Sequence, residues 1–291
     1  MKSKYSVSDK KNKKTLTVRR VIVYIVLILL AVISLLPFFI LIINSTREHQ
    51  EISRRAFSLL PGGSFGDNLK NVLDNKELPI FRGMLNSFIV ATSSAALSVY
   101  FSAATAYGIH VYNFKLKKFA FTFIMVIMMV PTQVSALGFI QLVSKLGMNN
   151  TFWPLIIPSI AAPVTFFFMK QYMQSSLPLE IVEAARIDGS NELKTFNSIV
   201  MPIMKPAIAV QAIFTFVTAW NNYFVPALIL SDKKMKTLPI LIALLRSADY
   251  LKFDMGQVYF LIMLSILPVV IVYLLLSKFI IRGVTLGSVK G

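Results

Sequence analysis

Two sets of side chains in this sequence are spaced for chemistry. The first is Glu183-Ala184-Ala185 followed by Asp188 and Gly189. It offers a carboxylate able to pair with a cation, two methyl side chains that let another backbone come close, and a glycine able to turn the chain. The second is Gln211, Thr215, Thr218 and Asn222, which fall at i, i+4, i+7 and i+11 and so share one helical stripe. Asn221 and Tyr223 flank the end of that stripe, and Gln133 stands just after Pro131 in another apolar stretch. Amides both donate and accept, which suits a polyhydroxylated solute, and an aromatic ring stacks on its apolar face. The competing reading is that these side chains bond neighbouring helices of the same bundle.

Catalytic and metal chemistry have little to stand on. The chain has no cysteine, and its two histidines, His49 and His110, are far apart. No G-x-x-x-x-G-K-[ST] loop occurs, so a phosphate cradle of that type is missing. No catalytic, cofactor-binding or metal-ligating residue is therefore expected in this chain. A membrane-embedded enzyme would need a carboxylate or histidine pair near an interface, and none here has the spacing of a site.

The elements that carry these residues are membrane spans. Of 291 residues, 56% are apolar and 15% charged, a composition too apolar for a soluble domain of this size. Six stretches lack Asp, Glu, Lys, Arg and His: Val21–Ile43, Met84–Ile109, Phe119–Ser144, Thr151–Met169, Ala207–Leu230 and Gly256–Ser277. Each is long enough to cross a hydrocarbon core of about 30 Å. A soluble helical core would interrupt such runs with charges on its wet face. The first run exceeds a signal-peptide core and no small-x-small site follows it, so it is expected to be retained. The predicted divisions are a basic segment 1–20, a first span 21–43, an outer loop 44–83, a core 84–281 and a tail 282–291.

The net charge of +17 is distributed as an orientation signal rather than a nucleic-acid surface. Eighteen of the 30 Lys and Arg residues fall on the amino-terminal face, for a net +13, against +4 on the other. That face is expected to be cytoplasmic, with both termini inside. Lys10, Lys11, Lys13, Lys14, Arg19 and Arg20 then serve as an anchor touching anionic lipid. The mixed cluster from Arg47 and Glu48 to Arg55 is expected to be solvated.

This orientation puts Glu183–Gly189 in a cytoplasmic loop, 175–202, between the fourth and fifth spans. Ser175-Ser176 and Pro178 form a capped start, and Leu179 through Ile187 read as a helix. Gly189 can take the positive φ of a sharp turn, and Ser190 or Asn191 caps a second helix running to about Met201, where Pro202 and Pro206 stop it. Ile181, Ala184 and Ala185 share a face at i, i+3 and i+4. The alternatives are a partner-binding hairpin and a linker packed on the protein's own underside.

The pattern Glu183-Ala184-Ala185, Gly189, Ile199-x-Met201-Pro202 resembles the cytoplasmic signature of permease subunits in bacterial ABC importers, with Met201 in place of the usual Leu. Phe216 through Ala227 resembles the fifth-helix segment of the carbohydrate-importing branch, and Arg282 through Gly291 resembles its ending, with Val284 in place of Leu. The likeness covers almost the whole chain and is weakest over the first twenty residues and 44–83. It implies an all-α integral membrane fold of the type I importer permease architecture, with six transmembrane helices and a cytoplasmic helical hairpin as coupling element. It also implies a second related permease subunit, two ATPase subunits that hold ATP and Mg, and an extracellular solute-binding protein docking on 44–83 and 231–255.

In that family the hairpin seats in the ATPase. Glu183 is then expected to pair with a basic residue there, Ala184 and Ala185 to supply the close-packed surface, and Gly189, with Asp188 beside it, to make the bend above Pro202. No span holds a titratable relay group, which fits energy supplied by a partner. Sodium coupling through carbonyls and hydroxyls stays open. The expected cargo is a sugar or oligosaccharide. The alternatives are a same-architecture permease for a polyol phosphate, peptide or modified glycan, and more remotely the enzyme above. The expected location is the bacterial cytoplasmic membrane, crossed several times.

Overall fold

A computed structural model describes residues 3–75, 78–248 and 253–287, with side chains from residue 19 onward except at 132 and 281–287. Helices dominate, and no strand occurs among the described residues. Arg19–Ser45, Ile80–Val111, Trp153–Ser176 and Met255–Ile280 are each long and apolar enough to cross a membrane, and two bent helix pairs raise the number to six if each is one span. The chain divides into two compact units, Met1–Val72 with Asp254–Met263, and Leu73–Phe253 with Leu264–Gly291.

In the first unit, α1 (Ser3–Ser45) leads to two short helices, α2 (His49–Arg54) and α3 (Phe65–Leu73). The apolar stretch of α1, Arg19–Ser45, is exposed along nearly all its length. In the charged segment after it, Glu48, Glu51, Arg54 and Arg55 are exposed, but Arg47 is not. Arg47 is 6% exposed. Its guanidinium donates to Asn44 Oδ1, Arg55 O and Glu51 O, each at 2.9 Å. Buried charge is tolerated when its donors are met, and these three acceptors take three of the five guanidinium N–H groups. Asn68 Nδ2 adds bonds to Ser45 O at 3.0 Å and Arg47 O at 3.1 Å, closing the loop on itself. Within the same unit His49 Nδ1 accepts from Met255 N at 3.1 Å, and Phe65 meets Phe260 edge-on at 5.1 Å.

The second unit is built on α4 (Ile80–Val111). Its small residues allow close helix approach, and three of its serines reach the segment opposite. Ser94 Oγ donates to Leu155 O at 3.3 Å, Ser98 Oγ to Thr165 Oγ1 at 3.2 Å, and Ser102 Oγ to Ala162 O at 3.4 Å. Next come α5 (Lys117–Met128) and α6 (Thr132–Lys145), which meet at 99°. The expected straight span Phe119–Ser144 is therefore broken. Pro131 lacks an N–H and biases the residue before it away from the helical region, so the ladder stops there. A short α7 (Trp153–Ile156) and a 3₁₀ turn (Ile157–Ile160) precede α8 (Pro163–Ser176), which packs on α4.

The hairpin α9 (Leu179–Ile187), α10 (Glu192–Thr195) and α11 (Met201–Ile203) follows, with a π-helical stretch, Phe196–Val200, between the last two. It leads through an 81° bend into α12 (Lys205–Trp220). The expected fifth span, Ala207–Leu230, is thus a helix ending at Trp220, a break at 221–223, and α13 (Phe224–Ile229). Asn221 and Asn222 favour a turn, and in an unbroken helix the ring of Pro226 would collide with the carbonyl of residue 222. Then come α14 (Leu238–Arg246) and α15 (Met255–Gly287). Ser288–Gly291, part of the tail motif, lie outside the described residues, as do the side chains of Lys10, Lys11, Lys13, Lys14 and Arg282.

Candidate functional site: a helical hairpin and a polar helix flank

The hairpin's turn is held by backbone geometry. Gly189 has φ +77°, the left-handed region that costs a side chain roughly 1–2 kcal/mol. Ser190 N donates to Ala185 O at 2.9 Å and Gly189 N to Arg186 O at 3.0 Å, the paired bonds of a Schellman ending. Asn191 then caps α10, its Oδ1 accepting from Lys194 N at 2.8 Å. The start of α9 differs from expectation. Ser175 and Ser176 belong to the end of α8, where Ser175 Oγ bonds Tyr172 O, and Pro178 itself occupies the cap position. Pro202 does not stop the second helix either. The π stretch before it shifts the bonding register, and proline sits in the first turn of α11, where no N–H is needed.

The two alanines part company. Ala185 is buried at 6% exposure beside Val182 at 1%, on the face turned to the protein. Val182, Phe196 and Val200 share one hydrophobic core with Val99, Tyr107 and Met173. Ala184 is exposed with Glu183, Asp188 and Ile187, the last at 87%. The face expected to hold Ile181, Ala184 and Ala185 together is therefore divided, because Val182 and Ala185, three apart, seat the helix on the core. Leu193, 74% exposed, stands beyond the turn. The outward knob is a carboxylate beside exposed apolar side chains.

A polar clasp that the sequence reading did not foresee joins the hairpin to α4. Glu192 Oε1 accepts from Arg186 Nε at 2.8 Å, and Glu192 Oε2 accepts from the Tyr107 hydroxyl at 2.8 Å. The Arg186 guanidinium lies over the Tyr112 ring, 5.4 Å from its centre. Hydrogen bonding from Tyr112, then from Arg186, pulls the Glu192 carboxyl down to about 2. Burial first, and the Glu192 carboxylate second, push the Tyr112 hydroxyl up. Arg186, at the surface, is pushed further up by its bond to Glu192. The one sequence signal for this clasp was an Arg and a Glu on opposite sides of a glycine turn.

Helix α12 has two different sides. Ala209, Phe216 and Trp220 are buried, with Phe216 6.2 Å from Phe88 of α4 and Trp220 Nε1 donating to Ser265 O at 3.1 Å. On the other flank Gln211 is buried, Thr215 half-buried and Thr218 exposed; Asn222, the expected fourth member of the stripe, lies past the helix end. The side chains of Gln211, Thr215, Thr218, Asn221 and Asn222 make no hydrogen bond among the described residues. Interhelical bonding among the described residues thus does not account for them. A cavity of about 360 Å3 opens beside Trp220, Asn221 and Tyr223, closed by Ile242, Arg246 and Ser265. A second, of about 330 Å3, opens at Gln211. Gln133 is exposed on α6 and lines neither.

The connection between α13 and α14 is fastened too. Asn86 Nδ2 donates to Lys234 O and Lys236 O, each at 2.9 Å, and Ser87 Oγ accepts from Leu238 N at 2.8 Å.

Several apolar helices long enough to cross a membrane, a seated hairpin with an exposed tip and a helix with one polar flank make up the architecture. A family model described as "Binding-protein-dependent transport system inner membrane component" matches residues 98–286. The arabinooligosaccharides transport system permease protein AraQ of Bacillus subtilis (strain 168) is 32% identical over 280 residues, covering 94% of this chain and 97% of that protein. The sn-glycerol-3-phosphate transport system permease protein UgpE of Pectobacterium atrosepticum is 28% identical over 264 residues, covering 89% and 94%. In fold, a chain of a bacterial ABC transporter involved in the import of the acidic polysaccharide alginate matches with TM-score 0.76 at 21% identity, over 90% of this chain and 96% of that one. The chain belongs to the binding-protein-dependent transport system inner membrane component family, the permease subunits of bacterial ABC importers.

Proposed function

We propose that this chain is one of two related permease subunits of an ATP-driven importer that carries a sugar or oligosaccharide inward. An extracellular solute-binding protein delivers the solute, and two cytoplasmic ATPase subunits, which hold ATP and Mg, drive the cycle. Both termini and the hairpin face the cytoplasm. Family membership and the arabinooligosaccharide relatives support this reading, and the unpartnered polar flank of α12 carries it. Five amide and hydroxyl side chains without intramolecular partners are costly against lipid and suit a wet path shared with a sister subunit. Gln211, Thr215, Thr218, Asn221, Asn222 and Tyr223 line that path, with Gln133 at its margin.

Coupling runs through the hairpin. Glu183 and Ala184, with Ile187, form the surface offered to the ATPase. Ala185 supports it from beneath, and Asp188, Gly189 and Pro202 set its angle. The test is uptake by the copurified complex in proteoliposomes with ATP, using a panel of labelled sugars. Glu183→Lys and Gly189→Val should abolish most uptake and leave the binding protein's affinity for sugar unchanged. Normal uptake by both variants would refute the coupling role.

A phosphorylated polyol is the second reading. The UgpE relatives favour it, as does Arg246 lining the outer cavity beside Asn221. Inclusion of sn-glycerol-3-phosphate in the panel decides between the two.

A further inference from the structure

Gln211 is 5% exposed, yet its side-chain amide has no hydrogen-bond partner among the described residues. Its amide nitrogen and oxygen are not sealed in the interior but open into a cavity, where they can meet a solute. It lines the 330 Å3 cavity with Phe168, Gln171 and Tyr172 of α8 and Ile280 of α15. That volume is at the small end of ligand sites, enough for a sugar ring with some water. No charged side chain lines it among the described residues. Lys170, next to that wall in sequence, is turned to the Phe121 ring at 4.7 Å.

Resting on the reading above, we infer that this cavity is an inner subsite for a neutral sugar ring, separate from the outer cavity at Trp220. Gln211 lies nine residues before Trp220, about 14 Å along the helix axis. Thr218 and Thr215, on the same flank of α12, lead toward it. The Gln211 amide donates and accepts at once, matching two adjacent hydroxyls, while Tyr172 and Phe168 present rings to the apolar face of the sugar. A phosphate finds no cation here. The outer cavity, with Arg246, tolerates charge; the inner one selects against it.

The experiment measures initial uptake of labelled arabinotriose and of labelled sn-glycerol-3-phosphate by the reconstituted complex, with assembly followed by size-exclusion chromatography. Gln211→Leu should cut arabinotriose uptake three- to tenfold, the worth of about one buried hydrogen bond. Gln211→Asn, which keeps an amide, should recover most of that loss, and Tyr172→Ala should reproduce it. Unchanged arabinotriose uptake in Gln211→Leu and Tyr172→Ala overturns the subsite while leaving the importer reading intact. Failure of the Gln211→Leu complex to assemble also overturns it, since the amide would then be bonding the sister subunit. A wild-type complex that takes up only sn-glycerol-3-phosphate overturns the sugar reading itself, and with it the neutral class assigned here.

Discussion

The Tyr107 hydroxyl donates to Glu192 at 2.8 Å, tying the C-terminal end of α4 to the first residue of α10. A helix long and apolar enough to cross a membrane and a short helix of the hairpin thereby share one carboxylate. Tyr107→Phe removes that bond and nothing else. Its expected effect is about five- to tenfold faster amide exchange over residues 192–200 in the purified complex, for a loss near 1 kcal/mol. Hydrogen exchange by mass spectrometry reads this, and unchanged rates would show that the clasp does not hold α10 in place.

The same carboxylate sets a pH window. Its folded value is held to about 2, below the ordinary 4.5. A depressed carboxyl contributes stability that is complete above the unfolded value and fades as pH falls toward the folded one. The clasp is therefore expected to hold unchanged from pH 8 to 5, to weaken below about 4.5 and to be gone near 2. The chain has no cysteine, so a nitroxide at Lys194→Cys reports the hairpin alone. Its mobility should stay flat to pH 5 and rise below; a rise already at pH 6 would place the transition on another group.

Burial separates the two alanines of the hairpin, and substitution should as well. Ala185→Leu forces added volume under α9 and is expected to cost about 1–3 kcal/mol, lowering the thermal midpoint of the permease in detergent. Ala184→Leu, on the exposed face, should leave that midpoint unchanged and weaken copurification of the ATPase. Equal midpoints for both would contradict the seating of α9.

On the opposite end of α4, Asn86 is 1% exposed and spends its amide on Lys234 O and Lys236 O. Asn86→Ala should release residues 231–237, at a cost of about 2 kcal/mol for two stranded carbonyls. Trypsin should then cut at Lys233, Lys234 or Lys236 several-fold faster. Gly83→Val should act alike, because a side chain there meets Leu241 of α14.

What the sequence disclosed was local. Pro178, Gly189, Asn191 and Pro206 punctuate the hairpin, and the structure puts α9 at the span those residues mark, Leu179–Ile187. Bends were invisible, because an apolar run reads alike whether straight or broken at Pro131 or Asn221. The burial of Arg47 was also hidden. Its acceptors are an asparagine and backbone carbonyls that only the folded loop gathers. For Ala184 and Ala185, neighbours in sequence, composition could not decide which one met the core. That depended on Val182 and on Tyr107, some 75 residues earlier. The Glu192 clasp escaped notice for the same reason.

The three serine hydroxyls of α4 that reach residues 155–165 act as rungs. A slide of one turn between these segments would strand all three together, so they travel as a single strut. Phe216, against Phe88, fastens α12 to the same block. On the path proposed above, widening to admit cargo opens along the seam between this block and the neighbour that faces the stripe beginning at Gln211.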